Sequence, residues 1–229
     1  MAATEFDSSG HRGERSLPFY FDFISPYAYL GWKLLRRWQT EGRLQVEPRP
    51  VLFAGLLNAH GTLGPAEVPA KRRYVFLDVR RKAERLGIEI GRPAAHPFNP
   101  LTPLRLMLAA EPQVRARVVD VFFDAIWQQQ LDLQDEPALR RTLNEALGDA
   151  DSACWEAAAS PAVKQRLREE TEQAVARGIF GVPTIDFDGE LFWGVDSLDD
   201  LERALHRGAL LLEGDWDDLP EQAVRRAPR

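Results

Sequence analysis

Sulfur is scarce in this chain, and its scarcity excludes several kinds of chemistry. Cys154 is the one cysteine among 229 residues. A single cysteine cannot form an intramolecular disulfide, a dithiol redox pair or a cysteine-based zinc site. The segment around it, Ser152-Ala-Cys-Trp-Glu-Ala-Ala-Ala159, has a helical composition. We therefore predict that Cys154 is a small buried side chain rather than a reactive thiol.

Long apolar runs, clustered histidines and an excess of positive charge are also absent. No apolar stretch approaches the roughly 20 residues that span a bilayer, so we predict no membrane insertion. His11, His60, His96 and His206 are scattered without the spacing of metal ligands, and we predict no metal. The formal net charge of −6 argues against general nucleic-acid binding, which needs a basic surface.

Positive charge is nevertheless concentrated in one short segment. Arg72-Arg73 and Arg80-Arg81-Lys82 lie close together in a stretch with helical periodicity. Charge runs of this kind usually cover a solvated helix face and pair with acidic neighbours, which is the interpretation we favour. Because clustered arginines also bind anions, an anion site on this segment is the alternative.

The two ends of the chain are polar. Residues 1–16 lack the apolar core of a secretory signal peptide, and we expect them to form a disordered leader. Residues 214–229 are expected to form a polar tail. Since the sequence carries no secretion or membrane signal that we can identify, we expect a cytoplasmic protein.

Hydrophobic patterning places β character at both ends and helical character between them. The predicted strands are Leu17–Phe23, Leu44–Leu52, Pro183–Phe187 and Leu191–Trp193. A helix over Tyr27–Thr40 joins the first two strands, and Asp188-Gly189 is a strong hairpin signal between the last two. Further helices fill the middle, interrupted by a proline-rich loop from Pro93 to Pro103, and a helix over Leu198–Gly208 closes the pattern.

This order, β-α-β, then helices, then β-β-α, predicts an α/β protein with one sheet assembled from both ends of the chain. It is the arrangement of a thioredoxin-like fold with a large all-helical insertion domain. The two halves of the thioredoxin-like domain would be residues 17–65 and 179–213, and the insertion residues 66–178.

A serine and a proline stand where the first strand meets the first helix. Ser25 is at the expected N-cap and Pro26 at the first helical position, where a missing N–H costs no hydrogen bond. The free N–H groups and the positive dipole end of a helix stabilise an anion, including a thiolate. Ser25 is therefore either a plain helix cap or part of a site for a negatively charged sulfur or oxygen.

Three segments resemble the DsbA-like branch of the thioredoxin superfamily. Phe21-Asp-Phe-Ile-Ser-Pro-Tyr-Ala-Tyr29 resembles its active-site segment, Gly178-Ile-Phe-Gly-Val-Pro-Thr184 its cis-proline segment, and Phe192-Trp-Gly-Val-Asp196 a glutathione-contacting motif. Within that branch the chain is similar to the 2-hydroxychromene-2-carboxylate isomerases and the kappa-class glutathione transferases. Redox members carry two cysteines where this chain has Ser25 and Ala28, so no disulfide can cycle there.

The resemblance implies glutathione as the cofactor. Ser25, Pro26 and Tyr27 would hold its sulfur. The catalytic role of Ser25 would be to donate to the thiolate, since the motif contains no base that could activate a serine nucleophile. Val182, before a cis Pro183, would pair with the extended tripeptide. The segment expected to bind the glutamyl end comprises Trp193, Gly194, Val195, Asp196 and Ser197.

The resemblance also implies a small aromatic substrate. The residues expected to contact it are Asn58, Thr62, Lys71, Tyr74 and His96. This chain departs from the family pattern, which usually has lysine at position 58, asparagine near position 62 and arginine at position 197. We expect Lys71 to supply the cation that Asn58 does not.

We therefore predict a glutathione-dependent isomerase that acts on 2-hydroxychromene-2-carboxylate, or on a related aromatic hydroxy-carboxylate or enone, by reversible thiolate addition. A kappa-like glutathione S-transferase, which would release the adduct as product, is one alternative. A catalytically inactive DsbA-like binding module is another. A homodimer is expected from the resemblance alone.

Overall fold

The strands and helices follow the predicted order. A computed structural model describes residues 16–148 and 151–207, so the predicted tail and all of the predicted leader except Ser16 lie outside the described residues. The strands are β1 (Ser16–Phe21), β2 (Gln45–Pro50), β3 (Thr184–Phe187) and β4 (Glu190–Trp193). The helices are α1 (Pro26–Thr40), α2 (Phe53–Ala59), α3 (Pro69–Leu86), α4 (Leu101–Ala109), α5 (Arg115–Trp127), α6 (Glu136–Leu147), α7 (Asp151–Ala158), α8 (Pro161–Ala176) and α9 (Leu198–Arg207).

The four strands form one mixed sheet in the order β2-β1-β3-β4. β1 and β2 are parallel because α1 crosses between them, whereas β3 runs antiparallel to both β1 and β4. Phe19 is opposite Ile185, which joins the two ends of the chain at the centre of the sheet. The predicted thioredoxin-like fold with an inserted helical region is confirmed, and the exact domain boundaries stay a prediction.

Local sequence signals explain several element ends. Gly87 ends α3 with φ of 60°, in the left-handed region that glycine adopts without a steric penalty. Asp188 and Gly189 have φ of 54° and 89°, as a tight turn between twisted antiparallel strands requires. The predicted hairpin is therefore present between β3 and β4.

One helix was missed, and one predicted boundary was wrong. The helix α2 was not predicted, and no side-chain cap marks its start at Leu52. Pro103 lies inside α4 instead of ending the proline-rich loop. A proline is tolerated there because it is in the first turn, where backbone N–H groups have no partner within the helix.

Aromatic side chains join the sheet to the helical region. Phe21 and Phe23 continue from β1 into the core and pack against Phe123 of α5, with ring centroids 5.6 and 4.8 Å apart. Trp32 of α1 and Phe123 are fully buried, and Cys154 is also buried, as predicted. Because this one core contains residues of β1, α1 and the inserted helices, the sheet and the insertion hold each other in place.

A buried carboxylate anchors the segment between β1 and α1. Asp22 is 0 % exposed. Its Oδ1 accepts a hydrogen bond from the N–H of Ile24 (3.0 Å), and its Oδ2 accepts one from the N–H of Phe53 at the start of α2 (2.8 Å). Burial raises the pKa of Asp22 to about 7, and the two N–H donors oppose that shift. The carboxyl group thus ties the start of α2 to the entrance of α1.

This pKa makes stability depend on pH with a definite sign. In the unfolded chain Asp22 loses its proton near pH 4, whereas in the folded chain it keeps the proton up to about pH 7. The contribution of Asp22 to stability should therefore be greatest below pH 4, fall as pH rises to 7 and then level off. The contribution of this residue is on the order of 4 kcal/mol.

We expect Asp22→Asn to lower the free energy of unfolding by about 1–3 kcal/mol at pH 5, because the amide nitrogen cannot accept an N–H group, whereas the hydroxyl oxygen of the protonated carboxyl group still can. The difference from wild type should shrink at pH 8, where wild type bears the cost of burying a charge. Urea unfolding at the two pH values measures both effects.

Asp132→Asn is the matched control, since the exposed Asp132 accepts the N–H of Gln134 (2.9 Å) with the same residue spacing. It should change stability by less than about 1 kcal/mol at either pH. A gap between wild type and Asp22→Asn that is the same at pH 5 and pH 8 would contradict the raised pKa.

Candidate functional site

The N-terminal tip of α1 is capped by Ser25, as predicted. Its Oγ accepts a hydrogen bond from the N–H of Ala28 (3.1 Å), and Pro26 occupies the first helical position. The hydroxyl hydrogen is directed at the carbonyl oxygen of Val182, 3.4 Å away. This bond is long, so the hydroxyl could turn to a better acceptor at little cost. Ser25 is 7 % exposed, which limits any ligand contact to a small part of its surface.

One backbone donor remains available at this tip. The N–H of Tyr29 bonds to the oxygen of Ser25, and that of Ala28 bonds to the side chain of Ser25. For the N–H of Tyr27, we find no hydrogen-bond partner within residues 16–148 and 151–207. A first-turn N–H without a partner, at the positive end of a 15-residue helix, is a donor for an anion.

The tip of α1 faces the loop that precedes β3. The Val182-Pro183 peptide bond is cis, as predicted. The carbonyl of Pro183 accepts a hydrogen bond from the N–H of Gly194 (2.9 Å), so this corner is fixed to the end of β4. Ser25, Val182 and Gly194, which we predicted from separate segments of the sequence, therefore lie in one place.

Two exposed aromatic rings border the same corner. Trp193 is 54 % exposed and Phe180 is 46 % exposed, and their ring centroids are 4.9 Å apart in an edge-to-face arrangement. Gly181 lies beneath them. A Cβ atom at that position would be 2.5 Å from Nε1 of Trp193, so only glycine admits the tryptophan in this position.

Asp196 lies within a 3-10 turn, Val195–Ser197, which leads directly into α9. Its carboxylate is 70 % exposed and forms an ion pair with Nζ of Lys82 on α3 (2.9 Å). The hydroxyl of Ser197 donates to the carbonyl of Gly194 (2.8 Å), so its hydrogen is already used.

Lys82 links Asp196 to the tip of α1. Its Nζ is 3.1 Å from Oδ2 of Asp78, and the same carboxylate oxygen accepts a hydrogen bond from the hydroxyl of Tyr27 (2.7 Å). The Lys82 side chain is only 13 % exposed. The predicted pairing with acidic neighbours is thus present, and the four arginines of the basic run are exposed. The predicted exposure was wrong for Lys82 alone, because residues 78 and 82 are on the side of α3 that faces α1.

The pKa shifts of Asp78 and Lys82 favour their charged forms. Burial opposes ionisation of Asp78, but hydrogen bonds from Tyr27 and Lys82 outweigh it and lower the pKa of Asp78. Burial also opposes the charge of Lys82, yet its bonds to Asp196 and Asp78 raise the pKa of Lys82. Burial and the hydrogen bond to Asp78 raise the pKa of Tyr27, which therefore remains a phenol that donates.

His96 lies on the other side of the same segment. Its Nε2 is 3.1 Å from the carbonyl oxygen of Ile24, the residue before Ser25. Since a carbonyl can only accept, Nε2 carries the ring hydrogen and Nδ1 is an acceptor. Burial lowers the pKa of His96, so the ring is neutral at neutral pH. His96 thus supports the backbone next to Ser25.

The other residues predicted to contact substrate are less clearly placed at the site. Tyr74 is 59 % exposed and close enough to Tyr27 to act on it electrostatically. Asn58 and Thr62 are exposed near the end of α2, and Lys71 is exposed in the first turn of α3. Among the described contacts, none brings Asn58, Thr62 or Lys71 to the tip of α1.

Sequence reasoning missed the structural importance of Asp22 and Lys82. Asp22 carried one usable signal, because a charged residue inside an otherwise apolar segment is rarely buried without a reason. For Lys82, the i,i+4 spacing from Asp78 was a usable signal, but the contact with Asp196 was not, since Asp196 is 114 positions away in the chain. Within the described residues, no group of three His, Cys, Asp or Glu side chains could hold a metal ion, and no helix is long and apolar enough to cross a membrane.

Comparisons with known proteins identify relatives of this chain. A family model described as a DSBA-like thioredoxin domain matches residues 16–206. A 2-hydroxychromene-2-carboxylate isomerase from Pseudomonas putida is 34% identical over 193 residues, which cover 82% of this chain and 93% of that protein. Glutathione S-transferase kappa 1 from Homo sapiens is 25% identical over 205 residues, which cover 83% of this chain and 91% of that protein.

A solved structure shares the fold. A selenomethionine form of 2-hydroxychromene-2-carboxylate isomerase matches with a TM-score of 0.77 and 30% sequence identity, and the match covers 84% of this chain and 95% of that chain. Both the family model and the isomerase relative span most of the sequence. The chain therefore belongs to the DSBA-like thioredoxin family, in the group that contains the 2-hydroxychromene-2-carboxylate isomerases.

Proposed function

We propose that this protein is a glutathione-dependent isomerase of an aromatic hydroxy-carboxylate such as 2-hydroxychromene-2-carboxylate. One observation carries the proposal: the α1 tip has the donors of a thiolate site but no sulfur of its own. Ser25 Oγ and the N–H of Tyr27 can both donate there. When bound, glutathione would supply a thiolate that adds reversibly to a conjugated substrate and leaves unchanged.

The residues at the α1 tip suit a bound thiolate. A free thiol has a pKa near 8.5, and a helix N-terminus lowers such a value by about one unit or more. Ser25 would donate to the sulfur, and the N–H of Tyr27 would add a second donor. Val182, whose carbonyl faces Ser25, would offer its backbone to an extended tripeptide as a neighbouring strand does.

The charges next to the tip suit the glutamyl end of glutathione, which carries an ammonium group and a carboxylate. The exposed carboxylate of Asp196 would bind the ammonium group. Lys82 has three N–H donors, and its Nζ lies 3.3 and 3.1 Å from the two oxygens of Asp78 and 2.9 Å from Asp196. One of the two contacts with Asp78 would be exchanged for the glutamyl carboxylate, so that Lys82 acts in place of the arginine that the family usually has at position 197.

Isomerisation is favoured over transfer because the isomerase from Pseudomonas putida is more similar to this chain, at 34% identity, than the kappa transferase from Homo sapiens, at 25%. We expect glutathione-dependent isomerisation of 2-hydroxychromene-2-carboxylate to exceed conjugation of 1-chloro-2,4-dinitrobenzene, with both assays run on the same preparation. If conjugation is faster than isomerisation, the protein is instead a kappa-like glutathione S-transferase. Stable folding without calorimetric binding of glutathione would replace it by the binding module.

We expect Ser25→Ala to raise the pKa of the bound glutathione thiol by about one unit and to lower activity at neutral pH about tenfold, because the thiolate loses one donor. The pH dependence of thiolate absorbance measures the first effect, and the isomerase assay measures the second. Ser160→Ala is the control, because Ser160 caps α8 in the same way through the N–H of Val163 (3.3 Å).

Ser160→Ala should lose about 1 kcal/mol of stability, as Ser25→Ala also should, but it should keep the thiol pKa and the activity. An unchanged thiolate titration in Ser25→Ala would remove the proposed role of the serine.

We expect Lys82→Met to weaken glutathione binding about tenfold, because one charge-assisted hydrogen bond to the glutamyl carboxylate is lost. Binding of cysteinylglycine, which lacks the glutamyl residue, should not change. Calorimetry measures both. Lys33→Met is the control, since Lys33 forms a comparable ion pair with Asp124 (3.0 Å) in another part of the fold.

A rescue variant separates the charge of Lys82 from its packing. Adding Ser197→Arg to Lys82→Met places a cation next to Asp196 again and should restore most of the affinity. If cysteinylglycine binding falls as much as glutathione binding, Lys82 supports the fold of the site and does not contact the glutamyl end.

A further inference from the structure

A cavity of about 690 Å³ lies against the opposite side of α3 from Lys82. Its walls are the α3 face that carries Arg72, Phe76 and Arg80, and the segment from Ile90 to His96. Trp127, at the end of α5, also lines it. Neither Ser25 nor any residue of the Val182-Pro183 corner is part of its lining. The volume is in the range of pockets that hold small organic ligands.

The lining of this cavity is positively charged, although the whole chain is acidic. Arg72, Arg80 and Arg92 contribute to it, and the described lining contains no aspartate or glutamate. Arg72 donates a hydrogen bond to the carbonyl of His96. For Arg80 and Arg92, the described part of the chain provides neither an ion pair nor a side-chain hydrogen bond. Two guanidinium groups therefore retain their donors for a ligand.

The rest of the lining is apolar and aromatic. The rings of Phe76 and His96 are in edge-to-face contact with centroids 5.1 Å apart, and His96 and Trp127 are 5.9 Å apart. Such a surface packs against a flat ring. The planar guanidinium group of an arginine binds a carboxylate through two parallel hydrogen bonds, a geometry that the ammonium group of a lysine does not provide.

From these observations we infer that the cavity binds an aromatic carboxylate, with its ring against Phe76 and its carboxylate between Arg80 and Arg92. It corresponds to the anion site that the sequence analysis gave as the alternative for the basic run at residues 72–82. The apolar wall makes a ring-bearing anion a better match than a bare inorganic anion.

The cavity and the α1 tip share a wall. His96 donates to the carbonyl of Ile24, and Nε1 of Trp127 donates to the carbonyl of Phe23 (3.0 Å). Both residues line the cavity and both hold the backbone just before Ser25. Because this wall separates the cavity from the α1 tip, an aromatic carboxylate bound here is an effector that acts through the wall.

The test is calorimetric titration of the full-length protein with 2-naphthoate in the absence of glutathione. We expect binding, at least about tenfold weaker binding of the neutral analogue 2-naphthamide, and about tenfold losses for Arg80→Gln and for Arg92→Gln. Arg73→Gln, an exposed neighbour outside the lining with the same change in charge, should stay within about twofold.

Equal affinities for the acid and the amide would overturn the inference, and so would an equal loss in Arg73→Gln and Arg80→Gln. Because the titration contains no glutathione, its outcome is independent of the proposed function. Isomerase kinetics with added 2-naphthoate then test the effector role. A change in kcat at saturating substrate supports it, whereas competition that raises KM alone would place 2-naphthoate at the substrate site and overturn the inference.

Discussion

The short segment between β1 and α1 is hydrogen-bonded from three directions, and the position of the candidate site depends on it. The side chain of Asp22 bonds to the start of α2, Trp127 bonds to the carbonyl of Phe23, and His96 bonds to that of Ile24. These bonds fix the backbone that leads into Ser25. A helix tip held in this way presents its donors in one orientation, so that little reorganisation is needed when an anion binds.

The helix α3 separates two regions of opposite chemical character. On the side that faces α1, the carboxylates of Asp78 and Asp196 surround Lys82. On its other side, Arg72 and Arg80 line a cavity whose remaining walls are largely apolar. A chain with net charge −6 can still hold anions because local charge, and not the total, sets the potential inside a cleft. The overall charge excluded a general nucleic-acid surface but said nothing about these two sites.

Features set by short-range physics could be predicted from the sequence, and features set by distant contacts could not. The Ser25 cap, the Asp188-Gly189 turn and the Gly87 helix end depend on a few neighbouring residues, and all three are present in the structure. The order of strands and helices followed from hydrophobic patterning. By contrast, α2 lacks a side-chain cap and is held in part through Asp22, 31 residues earlier in the chain. The ion pair of Lys82 with Asp196 likewise depends on how β4 and α3 pack.

The pair of Lys82 and Asp196 also shows why motif residues cannot be transferred by position alone. Where the family usually has an arginine, this chain has Ser197, whose hydroxyl hydrogen bonds to Gly194. The neighbouring positive charge comes instead from α3, in a side chain that is 13 % exposed and held by two carboxylates. The electrostatic energy between two charges depends on their distance and surroundings, and not on which segment of the chain carries them. A cation can therefore be lost from a motif and still be present at the site, provided that the helix supplying it is fixed. Here the hydroxyl of Tyr27 bonds to Asp78 and holds that helix against the tip of α1.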